Sequence, residues 1–310
     1  METIQNFWIE ENIPVAFHQA SSFPDGVLAA HQEIHAKFPP ENGRRYFGIS
    51  HPDKWTIIYK AAAEQLYPGE AAKHGFSEFV IRRGVYTSIK IPDFHKNIPQ
   101  IGQAFQKLLT DSRIDPKGYC LEWYINDHDL ICLVPLNADE TKRHELIREL
   151  DPCFKNLIDS INSMDEDSLN QVPFSGSWTA AQVGHHLVRS TETVINTLKG
   201  KTGLMEAGRE SDRAVAKLEK VFLDFTRKFE AAEFLSPSNE RISKSSLLDS
   251  LKEKTAELLD ILRTEDLSLV CLDFAFPGSN GHMTRLEWGH FARVHTKRHL
   301  HQLQNIMEKL

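Results

Sequence analysis

His295 and His299 stand four residues apart in the stretch from Thr284 to Leu310, where Trp288, Ala292, Leu303 and Ile306 recur with them at three- and four-residue steps. That stepping is the stripe that one face of an α-helix buries. Residues four apart lie about 40° apart around a helix and one turn apart along it, so both imidazoles can reach one point in front of the face. This is the spacing of two ligands to one metal ion. It is also met in histidines whose hydrogen bonds are simply satisfied within a core or at its rim, and the pair alone does not separate the two readings.

A second stretch, Trp178 to Ser190, continues to Leu198 with Val183, Ser190, Val194 and Leu198 on a helical stripe. His186 falls on that stripe and His185 beside it. Burying three imidazoles on the apolar faces of two helices is costly without partners, and a bound cation satisfies all three at once.

The elements that must position these groups follow one another from residue 139 onward: helical patterns over Asp139–Met164, Trp178–Lys199, Ser211–Glu230, Lys244–Thr264 and the last stretch. Thr141 and Ser177 are candidate N-caps and Gly200 a candidate stop. Gly200 to Ser243 forms a crossover whose charged run, Glu206–Arg213, reads as a solvated helix face. Before Leu136 the texture is mixed. Strands are expected near Pro14–Ala20, Arg44–Ser50, Trp55–Ala63, Phe79–Ile91, Tyr119–Asn126 and Asp129–Leu136, with helices over Gly26–Phe38 and Lys96–Leu109. The order suggests two β-α-β-β units that could pack their sheets into a groove, a natural small-molecule site. The first strand is placed after a dozen residues, and no helix-turn-helix precedes it. Glu122, between Leu121 and Trp123, either faces a ligand among aromatic rings or points at water as strand alternation allows. Tyr46, Tyr86, Trp123 and Tyr124 line a pocket or belong to the core. The change of texture divides the chain into domains 1–137 and 138–310.

Composition excludes whole classes. With 43 acidic against 36 basic residues the net charge is −7, and no basic block offers a footprint for nucleic acid or an anionic membrane. There is neither a signal-like N-terminus nor an apolar run of the ~18 residues that would span a bilayer, so a soluble, cytoplasmic protein is expected. Cys120, Cys132, Cys153 and Cys271 are scattered without C-x-x-C spacing and read as reduced structural thiols. A homodimer through the bundle helices is compatible with the pattern.

The C-terminal half resembles the DinB-like four-helix bundle superfamily. Trp178 with His186-Leu187, the turn from Pro277 to Thr284, and Glu287-Trp288 followed by His295 and His299 match its pattern in order and spacing. The resemblance implies a divalent metal on His186, His295 and His299, with His186 preferred to His185 because it keeps the family's distance from the Trp. His185, His290 and His301 then read as partly exposed polar residues. The N-terminal half resembles the GyrI-like effector-binding family through Arg45-Tyr-Phe-Gly-Ile49, Gly84-Val-Tyr86 and Leu121-Glu-Trp-Tyr-Ile125. That resemblance implies a small-molecule pocket with Glu122 facing a cationic or aromatic ligand. The expected architecture is therefore α+β with two domains, a duplicated β-α-β-β unit followed by an all-α bundle.

Three neutral imidazoles would leave a dication's charge uncompensated and positions open for water or substrate, the character of a catalytic site. Such an ion activates water or a thiol at neutral pH. Imidazole suits several metals, with zinc or nickel expected first and iron or manganese as alternatives. Glu287 and Gln302 are weak candidates by helical spacing to orient the ligand rings, and each reads first as a surface polar residue. No catalytic base is assigned. The functional expectation is a metal-dependent thiol S-transferase or hydrolase acting on an electrophilic small molecule, in detoxification or stress response, with a low-molecular-weight thiol as a candidate co-substrate. The alternatives are a non-catalytic small-molecule-binding protein centred on Glu122, or a transcription-associated sensor that lacks its own DNA-binding domain.

Overall fold

Between Gln5 and Pro135 short segments rich in branched and aromatic residues favour a pleated, half-buried backbone, and the computed structural model of the chain pairs them into one antiparallel sheet. It describes residues 3–227, 229, 235–237, 240–276 and 281–310. The strands are β1 (Gln5–Ile9), β2 (Ile13–Gln19), β3 (Tyr46–Asp53), β4 (Thr56–Glu64), β5 (Ser77–Ile81), β6 (Gly84–Ile91), β7 (Cys120–Tyr124) and β8 (Leu130–Pro135). Their order in the curled sheet is β1-β6-β8-β7-β3-β4-β2-β5. The chain divides into two compact units, Met1–Thr141 and Lys142–Leu310.

Helices α1 (Val27–Lys37) and α3 (Pro99–Leu108) complete two repeats, β2-α1-β3-β4 and β6-α3-β7-β8, with a short α2 (Glu70–Lys73) between them. The repeats meet at β3 and β7, where Tyr46 pairs with Tyr124 and Gly48 with Glu122. Each repeat is preceded by a strand that serves the other: β1 leads into β2 but pairs with β6, and β5 leads into β6 but pairs with β2.

Three expectations for this half are corrected. The first strand is Gln5–Ile9, ahead of the dozen residues allowed for. The two repeats form one sheet rather than two. The run Phe79–Ile91 is two strands, broken at Arg82-Arg83. There the Arg83 N–H leaves the ladder for Asn12 Oδ1 at 2.8 Å. Gly84 follows at φ +145°, where a Cβ would come within 2.9 Å of Thr141 Oγ1.

In the second unit α4 (Ala138–Ser163), α6 (Ala180–Lys199), α8 (Lys244–Thr264) and α9 (Arg285–Met307) bury one apolar core, with Phe154, Leu187, Leu258 and Trp288 among its members. Short helices α5 (Glu166–Asn170) and α7 (Val215–Phe222) and a two-stranded pair, β9 (Thr202–Gly203) with β10 (Val270–Cys271), complete the described elements. Hydrogen bonding places the caps differently from expectation. Asn137 Oδ1 takes the Glu140 N–H, leaving Thr141 inside α4. For α6, Thr179 rather than Ser177 forms a capping box with Gln182. Gly200 does end α6.

The helix expected over Ser211–Glu230 is confined to α7. Asp224 draws the Thr226 N–H at 3.2 Å and its hydroxyl at 2.6 Å into a local turn that competes with helix. Lys228 and Glu230 lie outside the described residues.

The run Glu206–Arg213 is not a solvated helix face. Arg209 turns inward to the fully buried Glu287 at 2.5 Å. Glu287 caps the start of α9, accepting the Thr284 N–H at 2.8 Å, and also accepts the Ala214 N–H at 2.7 Å. Glu287→Ala would leave Arg209 buried without its partner and should cost about 3–5 kcal/mol. Glu287→Gln, which keeps a cap acceptor, should cost less. Urea unfolding followed by circular dichroism compares them. A loss below about 1 kcal/mol in the alanine variant would show the pair acting as an exposed one does.

Candidate metal centre

Helix α6 carries His186 on its buried face, and α9 carries His295 and His299 one turn apart on its own. Where the helices pack, the imidazoles converge through their Nε2 atoms: His295 Nε2 lies 3.3 Å from that of His186 and 3.1 Å from that of His299. One ligand atom from each residue falls within 4.8 Å of the other two.

The other ring nitrogens decide where the protons are. His186 Nδ1 sits 2.9 Å from the Leu235 carbonyl and His299 Nδ1 sits 2.8 Å from Gln302 Oε1. Both oxygens only accept, so both Nδ1 atoms carry hydrogen and both Nε2 atoms present lone pairs. His295 Nδ1 meets the Ser190 hydroxyl at 3.2 Å. If the His295 Nε2 carried a hydrogen it could satisfy one neighbour and would leave the other lone pair buried and unmet. A cation between the three satisfies all of them. Nitrogen ligands at about 2.1 Å from a tetrahedral ion lie about 3.4 Å apart, close to the separations here. The residues therefore fit a divalent metal, and the donor set alone does not select which one.

Burial favours the neutral, coordinating form. It lowers the His186 pKa, holds His295 well below the ordinary range and brings His299 down to about 3, where proximity to His186 adds to the effect. Around the imidazoles opens a cavity of about 780 Å³. Trp178 flanks it, 5.2 Å from the His186 ring and stacked on His299 at 6.5 Å, while Phe291 stacks on His295 at 5.2 Å. Arg227 and Arg298 also line it, and no Asp or Glu does so among the described residues.

Gln302 orients His299 as its spacing suggested. Glu287 does not orient a ligand ring, because its carboxylate is taken by Arg209 and the first turn of α9. Nor is it a surface residue. Ser190 was missed as an orienting group; its place on the stripe of His186 was the one signal, and its partner His295 stands on another helix. The Leu235 carbonyl had no signal, since any residue carries one. His185 and His290 are half-buried, and burial lowers the His290 pKa to about 4. His301, although pointed away from His299 on the wheel, lines the same cavity and stacks on Phe225 at 4.3 Å. Within the turn from Pro277 to Thr284, residues 277–280 lie outside the described residues.

In the first unit the four candidate ligand residues divide by strand alternation. Glu122 and Tyr46 share one face of the sheet, and Trp123 and Tyr86 lie on the other. Glu122 does not point at water. It is buried, and its Oε2 accepts the hydroxyls of Tyr59 at 2.9 Å and Tyr124 at 2.5 Å, while His31 Nε2 meets the Tyr59 oxygen at 3.0 Å. Gly48 makes room, since a Cβ there would stand 2.0 Å from the Tyr59 oxygen. Burial raises the Glu122 pKa, with the two tyrosine hydrogen bonds opposing it. Tyr46 is engaged elsewhere, donating to the Phe38 carbonyl and stacking on His35. Tyr86 belongs to a buried pair with Tyr119 at 2.8 Å. Tyr59 and His31 were not singled out in the sequence, because nothing local marks which aromatic residue will stand two strands from a glutamate.

With burial depressing the three metal-site pKa values, the unfolded chain binds more protons below pH 6.5. The stability of the metal-free protein is then fully present above 6.5 and lost progressively as the pH falls toward about 3, the value for His299. The urea midpoint of metal-free protein should drop between pH 7.5 and 5, and His299→Ala should flatten part of that drop. Parallel pH profiles for the two proteins would show that His299 protonates as readily folded as unfolded.

Comparison with known proteins places these observations. The DinB superfamily profile matches residues 149–303, half of the chain. The uncharacterized protein YuaE of Bacillus subtilis is 27% identical over 157 residues, 48% of this chain and 90% of that one. Among solved structures, YfiT of Bacillus subtilis, described as a probable metal-dependent hydrolase with an unusual four-helix bundle topology, is 17% identical. It covers 56% of this chain and 89% of its own, with a TM-score of 0.36. The C-terminal domain of EcmrR is 10% identical, covering 44% of this chain and 98% of its own, with a TM-score of 0.35. On the profile match to half of its length, the chain belongs to the DinB superfamily.

Proposed function

We propose that the second unit is a metal-dependent enzyme, a thiol S-transferase or hydrolase that acts on an electrophilic small molecule. The observation that carries this reading is the convergence of three Nε2 atoms, each with its Nδ1 engaged, beside a cavity of about 780 Å³. A divalent ion held there by neutral imidazoles would supply Lewis-acid activation of a thiol or a water at neutral pH. His186, His295 and His299 would hold it, and the Leu235 carbonyl, Ser190 and Gln302 fix the rings in the coordinating orientation. Trp178 and Phe291 cover the imidazoles with apolar surface. The lining offers no carboxylate to take a proton among the described residues, which favours a nucleophile that ionises readily, such as a low-molecular-weight thiol, over water.

A second reading concerns the first unit. Its GyrI-like resemblance and the buried Glu122, held by tyrosine hydroxyls with no cationic partner among the described residues, support a pocket for an aromatic cation. The ring faces and the carboxylate attract positive charge together.

Metal analysis of protein purified without an affinity tag should find about one equivalent of ion per chain, as four-coordinate sites with three protein ligands hold, and none in His295→Ala/His299→Ala. Zinc- or nickel-loaded protein should conjugate a thiol to a model electrophile. His299→Ala should lower that rate by about 100-fold or more, as loss of a metal-bound nucleophile entails; turnover at the wild-type rate in that variant overturns the enzyme reading. For the first unit, Glu122→Gln should abolish binding of N-methylacridinium measured by fluorescence. It should also raise the unfolding midpoint at pH 7, because the buried carboxylate's raised pKa means that ionisation costs stability as the pH rises. Unchanged acridinium binding would remove Glu122 from the pocket.

A further inference from the structure

The cavity beside the three imidazoles has an aromatic wall of defined geometry. Phe222 and Phe229 stack at 5.6 Å, and Phe222 meets the edge of Phe291 at 5.3 Å. Phe225 and His301 close the rim. Parallel and edge-on ring pairs at these separations leave slots that suit a flat ring better than a branched chain.

Its charge is equally particular. Arg298 lies over the Phe229 ring at 4.6 Å and donates to the carbonyls of Phe222 at 3.1 Å, Asp224 at 3.0 Å and Arg227. Carbonyl dipoles orient the guanidinium but do not cancel its charge. The Asp224 carboxylate accepts from Arg227 Nε at 3.0 Å and from Thr226. Among the described residues two cations thus face one anion, and one positive charge is left over at the rim. Aromatic faces alone would draw a cation. Here a cation would meet an unpaired guanidinium and no lining carboxylate among the described residues, so the sign of the charge decides against it.

Resting on the reading of this cavity as the substrate site, we propose that it selects a flat aromatic anion. Its ring lies against Phe222, Phe225 and Phe291 and its carboxylate is turned toward Arg298, the specificity-determining residue. A guanidinium already fixed by three backbone carbonyls matches the two oxygens of a carboxylate without having to be ordered first.

The test is a charge series of one ring system: 2-naphthoate, 2-naphthalenemethanol and 2-naphthylmethylammonium, titrated calorimetrically into zinc-loaded and into metal-free full-length protein. Naphthoate should bind at least about tenfold more tightly than the ammonium in both forms, the scale of a charge-assisted contact. Arg298→Gln should bring the three probes within about threefold of one another. Should that variant lose its fold by circular dichroism, the wild-type series decides alone, together with Phe225→Ala, which should weaken all three probes by a similar factor. Equal binding of the three probes, or tighter binding of the ammonium, overturns the proposal. A preference for naphthoate that appears only with zinc overturns it too, because the ion rather than Arg298 would then hold the carboxylate. A protein that takes up no metal removes the enzyme reading, while the metal-free series still tests the preference for an anion.

Discussion

Three imidazole nitrogens converge inside the second unit, two of them with lone pairs turned on the third, and the unit is arranged around that crowding. Each imidazole is committed to its orientation from behind, by a backbone carbonyl, a hydroxyl and an amide oxygen. No rotation can relieve the crowding without breaking one of those bonds. The register of α6 against α9 is fixed by the same requirement, since sliding either helix by one residue would turn a ring out of the cluster by roughly 100°. The capping boxes at Thr179 and Thr284 set where each helix begins, and so set the height at which the rings meet. Stability and chemistry share these residues. Arg209, held by the α9 cap, ties the crossover to the helix that carries two of the ligands.

The two candidate sites are built on opposite electrostatic principles. In the first unit a carboxylate is buried among hydroxyls and rings, with its charge disfavoured until something positive arrives. In the second, neutral imidazoles and the Arg298 guanidinium, which has no carboxylate partner among the described residues, stand among rings. Aromatic side chains are common to both and supply area without deciding sign. The sign of the local charge comes from one or two residues in each case, Glu122 in the first and Arg298 in the second.

What the sequence disclosed follows from how local each signal is. The bundle helices, the paired histidines of α9 and the place of His186 on a stripe are matters of periodicity over a few turns, and they were legible. The spacing of Gln302 marked it as a candidate, three residues from His299, but a surface place was the first reading and the bond decides for the ring. Glu287 was misjudged because its partners, Arg209 and the Ala214 N–H, lie more than seventy residues away, and spacing along one helix says nothing about them. The run Glu206–Arg213 misled in the same way, since a charged stretch looks solvated until one of its members finds a buried counter-ion. The break at Arg82-Arg83 was hidden inside a continuous strand-like composition. Only the pairing of each half with a different neighbour shows that a bend is required there.

That exchange of leading strands has a consequence for how the first unit comes into being. Gln5 pairs with Ser88 and Ile13 with Ile81, so the outer edge of the second repeat is supplied by residues made first, and that of the first repeat by residues made some seventy positions later. Neither repeat is a folding unit in its own right. The leading segment finds its strand partner only in residues beyond Ser77, a pairing of high sequence separation that carries a loop-closure cost. The likeness between the repeats is thus a record of their geometry and not of their independence. Removing the first dozen residues would strip an edge from the repeat farthest from them in sequence.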